Sequence, residues 1–233
     1  MLDILYQDTD LLAVNKPAGM PVHRSHFVGP AEAFVIDALR EQVDGPLHLA
    51  HRLDRPTSGV LLVARNSDMA AALGEQFRAR STRKHYLAVV RGWPEPAEGV
   101  IDYALPGARD SGPRREAQTH YQSVATVEVP IALGRYPQQR YALLKCMPQT
   151  GRFRQIRKHL AHIHHPIVGD SQHGRSDHNR LFKQHFGCFR MLLHASALEF
   201  VHPADARAMR IKAPLDATWL AITDRFGWRA HLG

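Results

Sequence analysis

Cysteine is almost absent. Cys146 and Cys188 are the only two in 233 residues, too few for a disulfide scaffold or a thiolate zinc site, and both are expected to be reduced in a cytoplasmic protein. Long apolar runs are missing too. None exceeds about six residues, against the roughly 20 that a membrane-spanning helix needs. No lipidation signal is visible either, so no membrane partner is expected. The first residues, "MLDILYQDTD", have neither a basic start nor an extended apolar stretch, so no secretion signal is expected there. There is no Walker A loop, no G-x-G-x-x-G and no G-x-S-x-G, so nothing supports ATP, dinucleotide or serine-hydrolase chemistry. Repeats and low-complexity tracts are also lacking.

Acidic residues are the minority charge. Thirty Lys and Arg against 22 Asp and Glu leave a net charge of +8 and a pI near 9.9, a balance that suits a polyanionic partner. The excess is concentrated. Residues 150–190 hold Arg152, Arg154, Arg157, Lys158, Arg175, Arg180, Lys183 and Arg190 against Asp170 and Asp177 alone. A solvated basic face and a phosphate-tracking surface both fit this tract, and its density favours the second.

An apolar content of 44% in a chain of this length supports a sizeable core. Residues 11–14 read as a strand that breaks at Lys16-Pro17 into a Gly- and Pro-rich loop. Residues 31–43 read as a helix, 59–64 ("GVLLVA") as a buried strand, and 67 to about 80 as a helix capped by Asn66 or Ser67. Residues 84–92 read as a strand. The Pro-rich stretch 93–116 reads as a long excursion, followed by strands at 117–128 and 140–147, a helix at 153–163 and a strand at 191–201. Strands outnumber helices, some in succession and some alternating with them, which indicates an α+β fold with a mixed sheet.

In helix 153–163 the residues Phe153, Ile156, Leu160 and Ile163 form one apolar stripe facing the core. Arg157 projects only about 40° from Phe153, at the edge of that stripe. It either pairs with a buried carboxylate or phosphate or extends its head to water. "QTG" before the helix offers free N–H groups to an anion. In "HRLDRPTSG" (51–59), Asp54 lies between Arg52 and Arg55 ahead of a turn. A carboxylate beside a guanidinium stays ionised and can serve as nucleophile or base. The plainer alternative is a turn former that bonds nearby backbone N–H groups. "HLAHIHHP" (159–166) lacks the glutamate of a zincin helix, so no metal is expected there.

Four collinear segments carry a family resemblance: "AVNKPAGMPVH", "HRLDRPTSG", "KHYLAVVRG" and "TGRFRQIRKHLAHIHHPIVGD". They resemble the motifs of the RluA-type pseudouridine synthases. "MLDILYQDTDLLAVNKPAG", "ATVEVP", "GRYPQQRY" and "FGWRA" extend the likeness nearly end to end, toward the TruC-type subgroup, which modifies uridine 65 of transfer RNA. The resemblance implies one catalytic domain over residues 1–233, without an S4-like RNA-binding domain. Its mixed, mainly antiparallel sheet would be flanked by helices around a central RNA-binding cleft. It implies RNA, most specifically tRNA, as partner, no cofactor and no obligate protein partner. Asp54 would be the essential catalytic carboxylate, Tyr86 would pack against the target base and Arg157 would pair with Asp54. Arg52 would fill the stack vacated by the flipped base. His51, Arg55, Asn15, Lys16, Arg152, Arg154 and Lys158 complete the expected RNA contacts. Arg154 departs from the family, which usually has histidine there. Ribosomal RNA is the alternative substrate, and a non-catalytic RNA-binding module and a metal-dependent nuclease are the alternatives from other classes.

Overall fold

The computed structural model describes residues 1–23, 33–107 and 112–232. These form two compact units, one of residues 1–84 and 194–214, the other of residues 85–193 and 215–233.

In the first unit, β1 (Asp3–Gln7) pairs antiparallel with β2 (Leu11–Lys16), and β2 with β4 (Ser58–Ala64). The two-residue β3 (His48–Leu49) also pairs with β4. The start of β4 lies parallel to β9 (Leu193–Val201), which pairs antiparallel with β10 (Ala208–Lys212). Every residue of β4 is buried, as its unbroken apolar run requires. Helix α2 (Ser67–Arg78) is capped by the Asn66 side chain, which accepts from Met69 N–H. It packs Met69 and Leu73 with Leu11, Ala13, Val60, Leu62, Leu198 and Phe200 in one core. Helix α1 is shorter than its pattern predicts, running Val35–Arg40. Gln42 and Val43 both donate their N–H groups to Leu39 O, closing the helix in a turn. Residues 31 and 32 of the expected helix lie outside the described residues.

In the second unit β5 (Arg83–Arg91, which the unit enters at His85) pairs with β8 (Gln139–Pro148), β8 with β7 (Gln118–Val129), and β7 with β6 (Glu98–Asp102), all antiparallel. Period-two alternation divides the side chains between two faces. Leu87 and Val89 with Tyr141 and Leu143 meet helices α4 (Ser176–Phe186) and α5 (Ala217–Arg225) through Leu181, Phe182, Trp219 and Ile222. Ala88, Val90, Ala142, Leu144 and Cys146 meet helix α3 (Gln155–His162) through Ile156 and Leu160. The fold is thus α+β with a mixed, mainly antiparallel sheet, as expected. The 93–116 stretch is not wholly irregular. Its β6 is recruited by β7 from Glu98↔Gln122 to Asp102↔Gln118, a long-range pairing that local Pro and Gly content hides.

Candidate active site

The expected site residues divide between the units. Asn15, Lys16, His51, Arg52, Asp54 and Arg55 belong to the first, and Tyr86, Arg152, Arg154, Arg157 and Lys158 to the second.

In the first unit Asp54 is half-buried at the head of a turn, where its carbonyl accepts from Thr57 N–H at 3.0 Å. Both flanks of the turn are anchored. Leu53 and Thr57 are buried. Arg55 O accepts from Gly19 N–H at 2.8 Å, and Arg55 Nε returns a bond to Gly19 O at 3.0 Å. Lys16 closes the same joint from below. Its Nζ donates to Pro17 O, Met20 O and Arg55 O at 2.8, 2.7 and 3.0 Å, and the residue is 0% exposed. An ammonium has three N–H donors, and three carbonyls are a matching set. This internal clamp replaces the direct RNA contact expected of Lys16, because a fully enclosed head group reaches no phosphate. Asn15 Nδ2 donates to Pro214 O at 3.1 Å, while Arg52 is exposed.

His51 stacks on Phe77, with ring centroids 4.5 Å apart, and its Nε2 accepts the Leu62 N–H at 2.8 Å. Burial, with the nearby Lys84 charge, pushes its pKa down to about 3, so the ring is neutral and can accept. Lys84 is itself lowered to about 8 by burial and the Arg80 charge. Behind the turn, Ser58 and His194 bond at 2.8 Å, and His194 Nε2 meets Ala213 O at 3.2 Å. A carbonyl can only accept, so Nε2 carries the proton, Nδ1 accepts and the Ser58 hydroxyl donates.

In the second unit Tyr86 stands opposite Cys146 in the β5–β8 pair, half-buried against the core that contains Ile156 and Leu160. Arg157 is 3% exposed. Its Nε and Nη2 donate to Asp170 Oδ2 and Oδ1 at 2.7 and 2.8 Å, and Nη2 also donates to Gln172 Oε1 at 3.2 Å. Asp170 Oδ1 accepts further from the Gln172 and His173 N–H groups. Burial alone would push the Asp170 carboxyl up; the bonds from Arg157, His173 and Gln172 outweigh it and hold the pKa below the ordinary carboxylate range. The left-handed turn at Gly169 (φ 81) delivers Asp170. A Cβ there would lie 2.1 Å from Arg190 O, so the position accepts only glycine.

A polar chain sets α3 against β7. The Thr150 hydroxyl and Arg152 N–H donate to Gln155 Oε1, and Gln155 Nε2 donates to Gln118 O and Thr119 Oγ1. Thr119 and His159 Nδ1 are 2.9 Å apart, and His159 Nε2 lies 3.0 Å from Tyr103 O. The carbonyl again requires the proton on Nε2, so Thr119 donates to Nδ1. The sequence pattern does not foretell the bonds that Thr119, Thr150, Gln155, His159 and Asp170 make. The one available signal was Asp170 itself, one of two acids amid eight bases and preceded by a glycine. Phe153, expected in the buried stripe, instead precedes α3 and is 37% exposed.

A family model described as RNA pseudouridylate synthase matches residues 10–162. The tRNA pseudouridine synthase C of Pectobacterium carotovorum subsp. carotovorum is 46% identical over all of this chain, which spans 64% of that relative's length. The tRNA pseudouridine synthase C of Salmonella typhi is also 46% identical, over all of this chain and 92% of its own. Among solved structures, Human RNA Pseudouridylate Synthase Domain Containing 4 superposes with a TM-score of 0.76 at 27% identity, over 97% of this chain and 93% of that one.

Proposed function

The chain belongs to the RNA pseudouridylate synthase family, and on that premise we propose that it isomerises uridine to pseudouridine in transfer RNA, at position 65. The observation that carries this reading is the 46% identity, over the whole chain, to two proteins named tRNA pseudouridine synthase C. The reaction breaks the N1–C1′ bond of uridine, turns the uracil and joins C5 to C1′, with C5 giving up its proton to solvent and N1 taking one up. It is an isomerisation with no net redox change or hydrolysis, so this reading calls for no cofactor.

Within this proposal Asp54 is the essential carboxylate, acting at C1′ or on the C2′ proton. A glycosidase needs a second carboxylate because it brings in water; here the departing uracil is recaptured, so one is enough. The Lys16 clamp and the Asp54–Thr57 turn support the assignment, since a reacting carboxylate needs a backbone that does not shift beneath it. Tyr86 offers a ring face to the flipped base, and Arg157 is the ion-pair partner of Asp54. Asp170 and Gln172 accept from Nε and Nη2 of Arg157, which fixes the plane of the guanidinium. Arg52 fills the gap in the stack, which otherwise costs a few kcal/mol to open. His51, Arg55, Asn15, Arg152, Arg154 and Lys158 line the RNA path, and the protein acts in the cytoplasm.

The test is tritium release from tRNA labelled at uridine C5, with mapping of the modified position. Release at position 65 by the wild type, abolished in Asp54→Asn with tRNA affinity retained, is the expected result. Release from ribosomal RNA alone would overturn the substrate assignment, and no release from either RNA would overturn the enzymatic one.

A further inference from the structure

Residues 149–169 contain no carboxylate, yet carry Arg152, Arg154, Arg157 and Lys158. Arg157 is turned inward to Asp170. Arg154 and Lys158 flank Phe153, whose exposure breaks the pattern that predicts its burial. The Arg154 guanidinium carbon lies 4.4 Å from the Phe153 ring centroid, and Lys158 Nζ lies 5.2 Å from it. Arg152 Nε is held by Glu116 O at 2.9 Å.

The backbone at this point is unusual. Arg154, the residue before α3, has φ 55 and ψ 33, and its side chain makes no capping hydrogen bond to the helix. A left-handed conformation is disfavoured for any residue with a Cβ and is ordinarily left to Gly or Asn. An N-cap is ordinarily Ser, Thr, Asp or Asn. Arg154 meets neither local preference. Instead its side chain lies over an exposed aromatic ring, so a cation and an apolar surface are presented together.

We infer that Phe153 and Arg154 form a stacking plate for an unpaired base of the RNA substrate, with Arg152 meeting an adjoining phosphate. The inference rests on the proposed function, which already gives the basic residues to RNA, and extends it with the aromatic contact of Phe153. A flat guanidinium on a ring fits a planar base, which stacks on either. The lack of acids over 21 successive positions suits a polyanion. An acidic peptide would need the charge but not the ring, so the exposed Phe153 favours RNA.

The experiment measures tRNA affinity over a range of KCl concentrations for the wild type, Phe153→Ala, Phe153→Tyr and Arg154→Gln, beside tritium release. Because Phe153 is at the surface, these variants should fold, which thermal melts verify. Phe153→Ala should bind tRNA about tenfold more weakly with the salt dependence unchanged, and Phe153→Tyr should restore binding. Arg154→Gln should lower the salt slope by about one. Wild-type affinity in Phe153→Ala would overturn the plate. So would equal weakening in the Ala and Tyr variants, or a Phe153-dependent affinity for polyglutamate matching that for tRNA. A wild-type protein that neither binds nor modifies tRNA would defeat the functional reading itself. Binding and modification unaffected by Phe153→Ala would defeat the plate alone.

Discussion

Asp170 grips Arg157 with both oxygens along one edge of its guanidinium, Nε and Nη2, at 2.7 and 2.8 Å, with side-chain exposures of 0% and 3%. This places a fully desolvated ion pair directly behind the helix face that carries the family's arginine motif. Its value depends on completeness, because each oxygen and N–H removed from water must be answered. The Gln172 and His173 amides supply the remaining partners on Asp170.

Removing Asp170 therefore takes the two-oxygen acceptor away from a buried cation. Asp170→Ala should lower the free energy of unfolding by about 3–5 kcal/mol. Asp170→Asn, which keeps an oxygen for the two backbone N–H groups, should cost less. Urea titration of both variants checks the order. Equal stability of Asp170→Ala and wild type would show that the pair contributes nothing.

Lys16→Met should also destabilise the protein, by about 3 kcal/mol, although methionine fills much of the same space. The loss comes from Pro17 O and Met20 O deprived of the ammonium, while Arg55 O keeps the Gly19 N–H. Hydrogen exchange gives the local test. The Gly19 amide, bonded to Arg55 O, should exchange faster in the variant, and tritium release should fall with it as the turn at Asp54 loosens.

Gly59→Ala should be among the most damaging single changes. Gly59 has φ 111, and a Cβ would lie 2.2 Å from Ala195 O, where β4 and β9 run parallel. The strand must separate from its neighbour or the backbone must rotate away, at a cost of at least about 3 kcal/mol. Poor soluble yield or a strongly lowered Tm is the expected observation.

Stability should fall in mild acid, partly through His178. Burial pushes its pKa down to about 4 from an ordinary 6.5. It is neutral in the fold, accepting from Arg91 Nε at 3.1 Å and bonded to Tyr141 at 2.9 Å. Below pH 6.5 the unfolded chain takes up a proton that the folded chain refuses. The stabilisation is whole above that pH, is lost as pH falls toward 4, and changes little below it. His178→Gln, which cannot titrate, should flatten the decline in urea midpoint between pH 6.5 and 4. An unchanged decline would assign it to other groups.

The sequence by itself determined the elements whose signals are local. Leu11–Lys16 and Ser58–Ala64 are apolar runs of strand length, α2 has Asn66 at its cap, and the alternation in Arg83–Arg91 feeds two cores. It also determined the family, because four collinear motifs are written in the chain itself. What only the tertiary structure decided were pairings between residues far apart in the chain. Lys16 looks like any exposed cation until Arg55 O, 39 positions away, is brought to its ammonium. Asp170 is one acid in a basic tract until the Gly169 turn aims it at Arg157. Strand β6 is a Pro-flanked loop until β7 lies beside it. Phe153 sits on an apolar period, but that period predicts burial only where a helix continues, and the left-handed turn at Arg154 begins the helix two residues later. Hydrophobic periodicity reports which face a residue shares with its near neighbours. It does not record which distant backbone will arrive to satisfy a buried charge.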